Sequence, residues 1–248
     1  MLTPERHQLI LQLLKEKGTV KIHELVRLTN SSESTIRRDL NDLEDRDFLK
    51  RVHGGASAKQ VINQELSFPE KTTKNLHKKR KVAAYGADLI QKGEYIFLDA
   101  GTTTFEMIPF LKEKQVIVVT NGLTHLEALS EYKIETYLTG GFVKYKTKAL
   151  IGHGAQSGME KYRFDKCFLG VNGIHPFFGF TTPDPEEALV KKIAIQLAQQ
   201  SFILADDSKL DQLSFAKIAD LDQAMIIMNE TSEKSLTFYQ NKTNIKVV

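Results

Sequence analysis

The chain of 248 residues contains a single cysteine, Cys167, so neither an intrachain disulfide nor a four-cysteine zinc site can form. Reducing cytoplasm is the simplest compartment for such a chain. The N-terminal MLTPERHQLI lacks the apolar core of a signal peptide. No apolar run approaches the roughly 20 residues of a membrane helix, so no membrane association is expected. The seven histidines are scattered without an HxH or HxxxH pair, which argues against a metal centre. Walker A and GxGxxG patterns are missing, and no cofactor is expected. Ser157 in GAQSG lacks the GxSxG spacing of a nucleophile elbow. What is present is ordinary globular composition, 41% hydrophobic and 26% charged, in a length suited to one large or two average domains.

Net charge is only +3, but it is unevenly spread. Residues 1–81 hold 17 basic and 11 acidic side chains, net +6, and residues 82–248 hold 17 and 20, net −3. The densest basic run is KTTKNLHKKRK, ending at Lys81. A basic front on an acidic body suggests a polyanion-binding module joined to a separate regulatory or catalytic unit, although the run alone also suits a solvated linker. Residues 1–58 by themselves are nearly balanced, with ten basic against nine acidic side chains. Any polyanion affinity must then depend on where particular side chains point.

The first fifty-odd residues carry helical periodicity. Thr3-Pro4 is a helix start, Leu9, Ile10, Leu13 and Leu14 recur at helical spacing, and Gly18 ends the run. A short second helix fits Ile22 to Leu28, burying Ile22, Leu25 and Val26. Ser32 caps a third, in which Ile36, Leu40 and Leu43 form one apolar stripe. Ser34, Thr35, Arg37, Arg38 and Asn41 fall largely off that stripe. Hydroxyls at a helix start allow close approach to base edges, and arginine offers a fork to guanine or a charge to phosphate. In FLKRVHGGAS, Phe48, Leu49 and Val52 read as core-directed, Lys50, Arg51 and His53 as outward, and Gly54-Gly55 as the turn of a hairpin wing. The pattern fits a winged helix-turn-helix, with an ordinary three-helix domain as the alternative.

From about residue 75, helical and strand patterns alternate. KKRKVAAYGADLI, TTTFEMIPFL and PEEALVKKIAIQLAQQ read as helices. EYIFLD, QVIVVT, IETYLT, KCFLGV, SFILAD and AMIIMN read as strands. Such alternation predicts a largely parallel sheet flanked by helices, with ligands beyond the strand C-termini. Polar loops fall at those ends: Asp99-Ala100-Gly101-Thr102-Thr103-Thr104, then Thr120-Asn121-Gly122, then Thr139-Gly140-Gly141. The first suits either a phosphate or a simple hydroxyl-capped helix. Lys209 in ADDSK offers a cation at another strand end. Cys167, Met225 and Met228 lie in apolar strands and read as core.

The run Ser32-Glu33-Ser34-Thr35-Ile36-Arg37-Arg38-Asp39-Leu40, then Leu43-Glu44 and Arg51-Val52-His53-Gly54-Gly55-Ala56, resembles the N-terminal signature of the DeoR family of sugar-responsive regulators. Lys21 departs from it, standing where a hydroxyl cap usually opens the second helix. DAGTTT, TNG, TGG, DKCFLGVNGI, TTPDPEEA and ADDSK resemble the same family's sensor domain, so the likeness covers nearly the whole chain. It implies a winged helix-turn-helix over 1–58, a linker over 59–74, and a Rossmann-like α/β domain over 75–248 that binds effector and oligomerises. That sensor belongs to the fold class of ribose-5-phosphate isomerase and glucosamine-6-phosphate deaminase. The implied partners are operator DNA, a phosphorylated sugar and further copies of the chain, as dimer or tetramer. Ser32, Ser34, Thr35, Arg37, Arg38, Asn41, Lys50, Arg51 and His53 are the expected DNA contacts. Asp99, Gly101, Thr102, Thr103, Thr104, Asn121, Gly140, Gly141, Asn172 and Lys209 are the expected effector contacts. YRFDKCFLG and FGFTTPD resemble the repressors of fructose operons, implying fructose 1-phosphate as inducer, with tagatose 6-phosphate as alternative.

The rival is a sugar-phosphate isomerase carrying a DNA-binding domain. Isomerases of this fold class need carboxylates for proton transfer. Matched residue by residue, Leu169 and Asn172 stand where their two aspartates stand. Lys191 stands at the catalytic glutamate, with Glu186 and Glu187 one turn away. Retention of the phosphate loop and Lys209 without those acids implies a binder with no catalytic residues.

Overall fold

Helix α1 (Thr3–Lys17) begins one residue earlier than the Thr3-Pro4 signal suggests, and Gly18 closes it at φ +72°. A short strand β1 (Thr19–Lys21) leads into α2 (Ile22–Thr29) and then α3 (Glu33–Asp45). The wing is β2 (Leu49–Val52) and β3 (Gly55–Ala58), and the sheet runs β1-β3-β2, all antiparallel. Ile10, Leu25, Ile36, Leu40 and Leu43 are fully buried, as their spacing predicts. Val26 is half-buried, and Val52, expected in the core, is 41% exposed because it sits at the hairpin tip.

The hairpin turn is His53-Gly54 rather than Gly54-Gly55. Gly54 takes φ +77°, which suits glycine in a two-residue turn. Gly55 is a strand residue, and a Cβ there would collide with the Val20 carbonyl of β1. Lys21 supplies no side-chain cap to α2. The wing compensates for it: the Ile22 amide donates to Gly54 O at 2.9 Å.

The computed structural model describes residues 1–46, 48–58, 65–231, 236–239 and 242–248. The chain divides into two compact units, Met1–Val61 and Ile62–Val248. Part of the expected linker, 59–64, lies outside the described residues. Its remainder is structured: α4 (Phe68–Thr73) packs Phe68 edge-on against Phe105, with ring centroids 5.9 Å apart.

In the second unit follow α5 (Leu76–Asp88), β4 (Tyr95–Leu98), α6 (Thr102–Phe105), β5 (Ile117–Thr120), α7 (Leu123–Glu131) and β6 (Glu135–Leu138). Next are β7 (Phe142–Lys144), β8 (Ala149–Ile151), α8 (Gly152–Met159), β9 (Phe164–Leu169), β10 (Gly173–His175) and β11 (Gly179–Thr182). The described elements end with α9 (Pro185–Leu197), β12 (Ala198–Ala205), β13 (Ala216–Ala219), β14 (Met225–Met228) and β15 (Ile245–Val247). Seven of these strands form a parallel sheet in the order β15-β14-β12-β9-β4-β5-β6. All six strands expected from the sequence lie in it. Two expected helices are shorter. Pro109 divides TTTFEMIPFL into the single turn of α6 and a 3-10 turn, Ile108–Leu111, because proline cannot continue the helical hydrogen bonds. Ala198–Gln200 belong to β12 rather than to α9.

Val82, Ala83 and Ala87 of α5 pack against Ile96, Leu98, Phe168, Leu204 and Ile227 of the sheet. Met228 is fully buried and Met225 partly so. Cys167 is fully buried on β9, and burial pushes its thiol up to about 12, far from a reactive thiolate. Chain order reverses between β4 and β9, so a crevice opens beyond their C-terminal ends. No helix among the described residues is long and apolar enough to cross a membrane.

Candidate functional site

The first unit presents the N-terminal turn and outer face of α3. Ser32 caps the helix, accepting from the Thr35 amide at 3.2 Å, and its hydroxyl lies 2.9 Å from Ser34 Oγ and 2.8 Å from Thr35 Oγ1. Ser32, Ser34, Arg37, Arg38, Asn41, Lys50 and His53 are exposed, and Thr35 is half-buried. Arg37 pairs with Glu33 one turn back, Nε to Oε1 at 2.9 Å, a surface pair that yields readily to another anion. Arg38 forms no ion pair among the described residues. Arg51 and Asn41 are engaged with each other, and Arg51 Nε donates to Gly55 O at 3.3 Å. Together they hold the wing against α3.

Beneath this face, Asp39 is buried. It accepts from Arg6 Nε at 2.7 Å and Arg6 Nη2 at 3.0 Å, and His7 Nε2 lies 3.1 Å away. A carboxylate on the inner side of α3 thus locks α1 behind the exposed helix.

In the second unit, a cavity of about 450 Å³ lies beyond the strand ends. Its floor includes Gly101, Thr102 and Thr103 after β4, Asn172 after β9, and Asp206, Ser208 and Lys209 after β12. Asn121 also lines it, but both ends of its amide serve the main chain. Its Oδ1 accepts from Ala100 N at 3.0 Å, and its Nδ2 donates to Leu150 O at 3.1 Å. Asn172 Oδ1 accepts from Thr182 Oγ1 at 3.1 Å.

Four expected effector contacts lie elsewhere. Asp99 is fully buried behind the loop, where it pairs with Lys191 and accepts from Gly101 N at 3.0 Å. Thr104 is also fully buried, its hydroxyl 2.8 Å from Asp99 O and 3.2 Å from His125 Nε2. Both support the loop rather than face the cavity. Burial, with Lys191 nearby, lowers His125 to about 4. Gly140 and Gly141 do not line the cavity either. Gly141 sits at φ +110°, where a Cβ would crowd Ala155 N of α8. At Gly141 the loop is a packing contact, whereas Gly140, at φ +76°, has open space around it.

The sequence reading missed most of the cavity's charge. Lys71, Lys74 and Lys79 line it, as do Lys191 and Glu187. Lys79 is buried and donates to Thr102 Oγ1 at 2.9 Å and to Lys71 O. Burial lowers Lys79 to about 8, with Lys209 and Lys71 adding repulsion that Asp206 and Glu106 oppose. The signal was present in the sequence. Lys79 lies on the stripe of Val82, Ala83 and Gly86, and Lys191 on that of Ala188, Ala194 and Ile195, all buried. A lysine on a buried stripe needs an anionic or polar partner.

Glu187 is a carboxylate at the cavity wall, so one acid is present in the neighbourhood left open by the sequence. It is committed to other groups, since its Oε1 accepts from Thr147 Oγ1 at 2.6 Å and Lys144 Nζ at 3.0 Å. Lys144 also meets Glu65 at 2.7 Å and Asp184 at 2.8 Å. Burial pulls the Lys144 ammonium down, but these three carboxylates outweigh it and hold its pKa above the ordinary lysine value. Glu186, by contrast, is exposed and contacts Gln156.

These two constructions match known families. Residues 6–61 match the DeoR-like helix-turn-helix domain, and residues 74–231 the DeoR C terminal sensor domain. The chain belongs to the DeoR family. As a DeoR-family protein it is a DNA-binding transcriptional regulator rather than an enzyme. It is 52% identical to the uncharacterized HTH-type transcriptional regulator FruR of Bacillus subtilis (strain 168), over 100% of this chain and 99% of that protein. It is 31% identical to the lactose phosphotransferase system repressor of Staphylococcus aureus (strain N315), over 98% of each. Among solved structures, ribose 5 phosphate isomerase A from Neisseria gonorrhoeae aligns with a TM-score of 0.41 at 18% identity, covering 55% of this DeoR-family chain and 53% of the isomerase.

Proposed function

We propose that this regulator represses a sugar-utilisation operon in the cytoplasm and leaves its operator when a phosphorylated sugar fills the lysine-lined cavity. The observation that carries this reading is the cavity's charge. Lys71, Lys74, Lys79, Lys191 and Lys209 surround it, against Glu187 and Asp206. Lysines gathered around a hydroxyl-bearing loop suit a compact anion, and the remaining polar groups suit sugar hydroxyls. Fructose 1-phosphate is the first candidate, given the likeness to FruR, and tagatose 6-phosphate the second. Calorimetric titration of both sugars, with fructose as the neutral control, tests this. Binding of a phosphorylated sugar but not of fructose is expected, and equal affinity for fructose refutes it.

Lys79 gives that binding a pH signature. Its free-state value of about 8 means that it is charged below pH 8 and neutral above. A bound anion favours the charged form, so above pH 8 binding must take up a proton. Affinity should then be nearly flat near pH 7, begin to fall as pH 8 is approached, and above it lose up to about tenfold per pH unit. Lys79→Met should bind more weakly at pH 7.5 and lose this dependence. An unchanged pH profile in the variant would remove Lys79 from the site.

Operator contact is proposed through Ser34, Arg37 and Arg38 of α3, with Lys50 and His53 of the wing. Ser32, Thr35, Asn41 and Arg51 hold that surface in place. Two copies on repeated or palindromic half-sites are the expected arrangement, since one small winged unit with nearly balanced charge offers little affinity. Arg37→Ala and Arg38→Ala should each weaken operator binding by about 1–3 kcal/mol without lowering the unfolding midpoint. Wild-type affinity in both variants, measured by fluorescence anisotropy, would misplace the recognition surface.

A further inference from the structure

Residues 65–75 are the first described residues after the winged unit, and side chains from Leu66 onward in this stretch help line the cavity. Leu66, Phe68, Lys71 and Asn75 all line it. Besides the Lys79 bond to Lys71 O and the Phe68–Phe105 ring contact, three tethers hold this stretch to the rest of the α/β unit. Glu65 meets Lys144 at 2.7 Å. The Phe68 amide donates to Lys146 O, in the β7–β8 turn, at 2.8 Å. Asn75 Nδ2 donates to Asp206 Oδ1 at 3.1 Å. The first tether joins two different things, because Lys144 also holds Glu187 of the cavity wall at 3.0 Å.

Glu65 is not fully satisfied. Its side chain is 9% exposed, and its Oε1 has no hydrogen-bond partner among the described residues. Lys71, one of the residues lining the cavity, places its Nζ 3.9 Å from that oxygen. A buried, half-paired carboxylate is held weakly relative to a fully bonded one. Lys71 thus both stands beside Glu65 and lines the cavity.

We infer that Glu65 is the positioning residue that couples cavity occupancy to the segment leading from the winged unit. With the cavity empty, Lys71 and Lys144 together hold Glu65 and fix residues 65–75. An anionic ligand draws Lys71 toward itself, leaving Glu65 on Lys144 alone and loosening the segment. A ligand shifts such an equilibrium only through differential contacts in the two states, and the shared Lys71 supplies that difference. This rests on the proposed response to a sugar phosphate and names the residue that transmits it.

The test uses the full chain and the conservative variant Glu65→Gln, which keeps size and one acceptor but removes the charge. Three quantities are measured for wild type and variant: operator affinity without ligand, ligand affinity without DNA, and the ratio of operator affinities without and with saturating ligand. The ligand is whichever of fructose 1-phosphate and tagatose 6-phosphate weakens operator binding by the wild type. Without the charge the segment is already loosened, so the variant should bind operator more weakly than wild type when no ligand is present, while its ligand affinity without DNA is at least that of wild type. Its ratio should be about tenfold smaller. A merely structural role would lower the unfolding midpoint or ligand affinity and leave the ratio intact. A variant with the full wild-type ratio overturns the inference alone. A wild type that answers neither sugar overturns the proposed ligand response and this inference with it. As a second readout, hydrogen exchange in residues 65–75 of the wild type should rise on ligand binding, and unchanged or increased protection there contradicts the loosening.

Discussion

Lys191→Met should destabilise the α/β unit by about 3–5 kcal/mol, as measured by urea unfolding. Lys191 pairs with Asp99, which is fully buried on the floor side of the 101–104 loop. Methionine keeps the aliphatic stem but removes the only cation bonded to that carboxylate among the described residues. The remaining partners, Gly101 N at 3.0 Å and the Thr104 hydroxyl, are neutral and cannot offset a buried charge. Asp99→Asn added to Lys191→Met makes the site neutral and should recover most of the loss, because replacing both partners of a buried pair is far less harmful than orphaning one. A single variant as stable as wild type would mean that the pair contributes nothing to the fold. A double variant no better than the single would mean that packing, not charge, is at stake.

In the winged unit, Asp39→Ala has the second large effect. Asp39 is the common acceptor for Arg6 and His7, and the two bonds from Arg6 measure 2.7 and 3.0 Å. Truncation leaves a buried guanidinium without its carboxylate and a void under α3, at about 3–5 kcal/mol. A unit ending at Val61 has little stability in reserve, so most molecules should lose the fold of that unit. Operator binding should disappear while sugar-phosphate binding persists, since the cavity lies wholly in the second unit. Retention of operator affinity in this variant would show that α1 need not be locked to α3.

The fold was largely legible. Alternation of apolar strands with helical stretches identified six of the seven strands of the parallel sheet, all but β15, and the stripe Ile36, Leu40 and Leu43 oriented α3 correctly. What failed depends on tertiary contact. Strand β1 is three residues long and exists because β3 pairs with it, so no local period marks it. Short strands such as β7 and β8 are likewise defined by their pairing.

The cavity was half legible for a different reason. Strand-end loops mark its floor, but the basic run up to Lys81, split between an expected linker over 59–74 and an expected helix from residue 78, gives no charge-based sign of which lysines turn inward. In the structure much of it turns toward the α/β unit. Lys71, Lys74 and Lys79 line the cavity, Lys78 meets Asp207 at 2.6 Å, and Arg80 meets Glu106 at 3.0 Å. A count of charges along the chain cannot tell an outward lysine from one on a buried stripe, whereas the helical phase of Lys79 against Val82, Ala83 and Gly86 can. Gly140 and Gly141 misled in the opposite sense. Gly141 packs closely against α8, and Gly140, at φ +76° with open space around it, lies away from the cavity lining.

Operator binding in the presence of sugar phosphates tests the central claim most directly. Duplexes selected by the wild-type protein from random sequence would be titrated with fructose 1-phosphate, tagatose 6-phosphate and fructose. One phosphorylated sugar should weaken operator binding by about tenfold or more and fructose should not, while Lys79→Met should bind the duplex normally yet respond far less. Release by neither phosphorylated sugar, or an equal response from Lys79→Met, would contradict an effector held in the lysine-lined cavity.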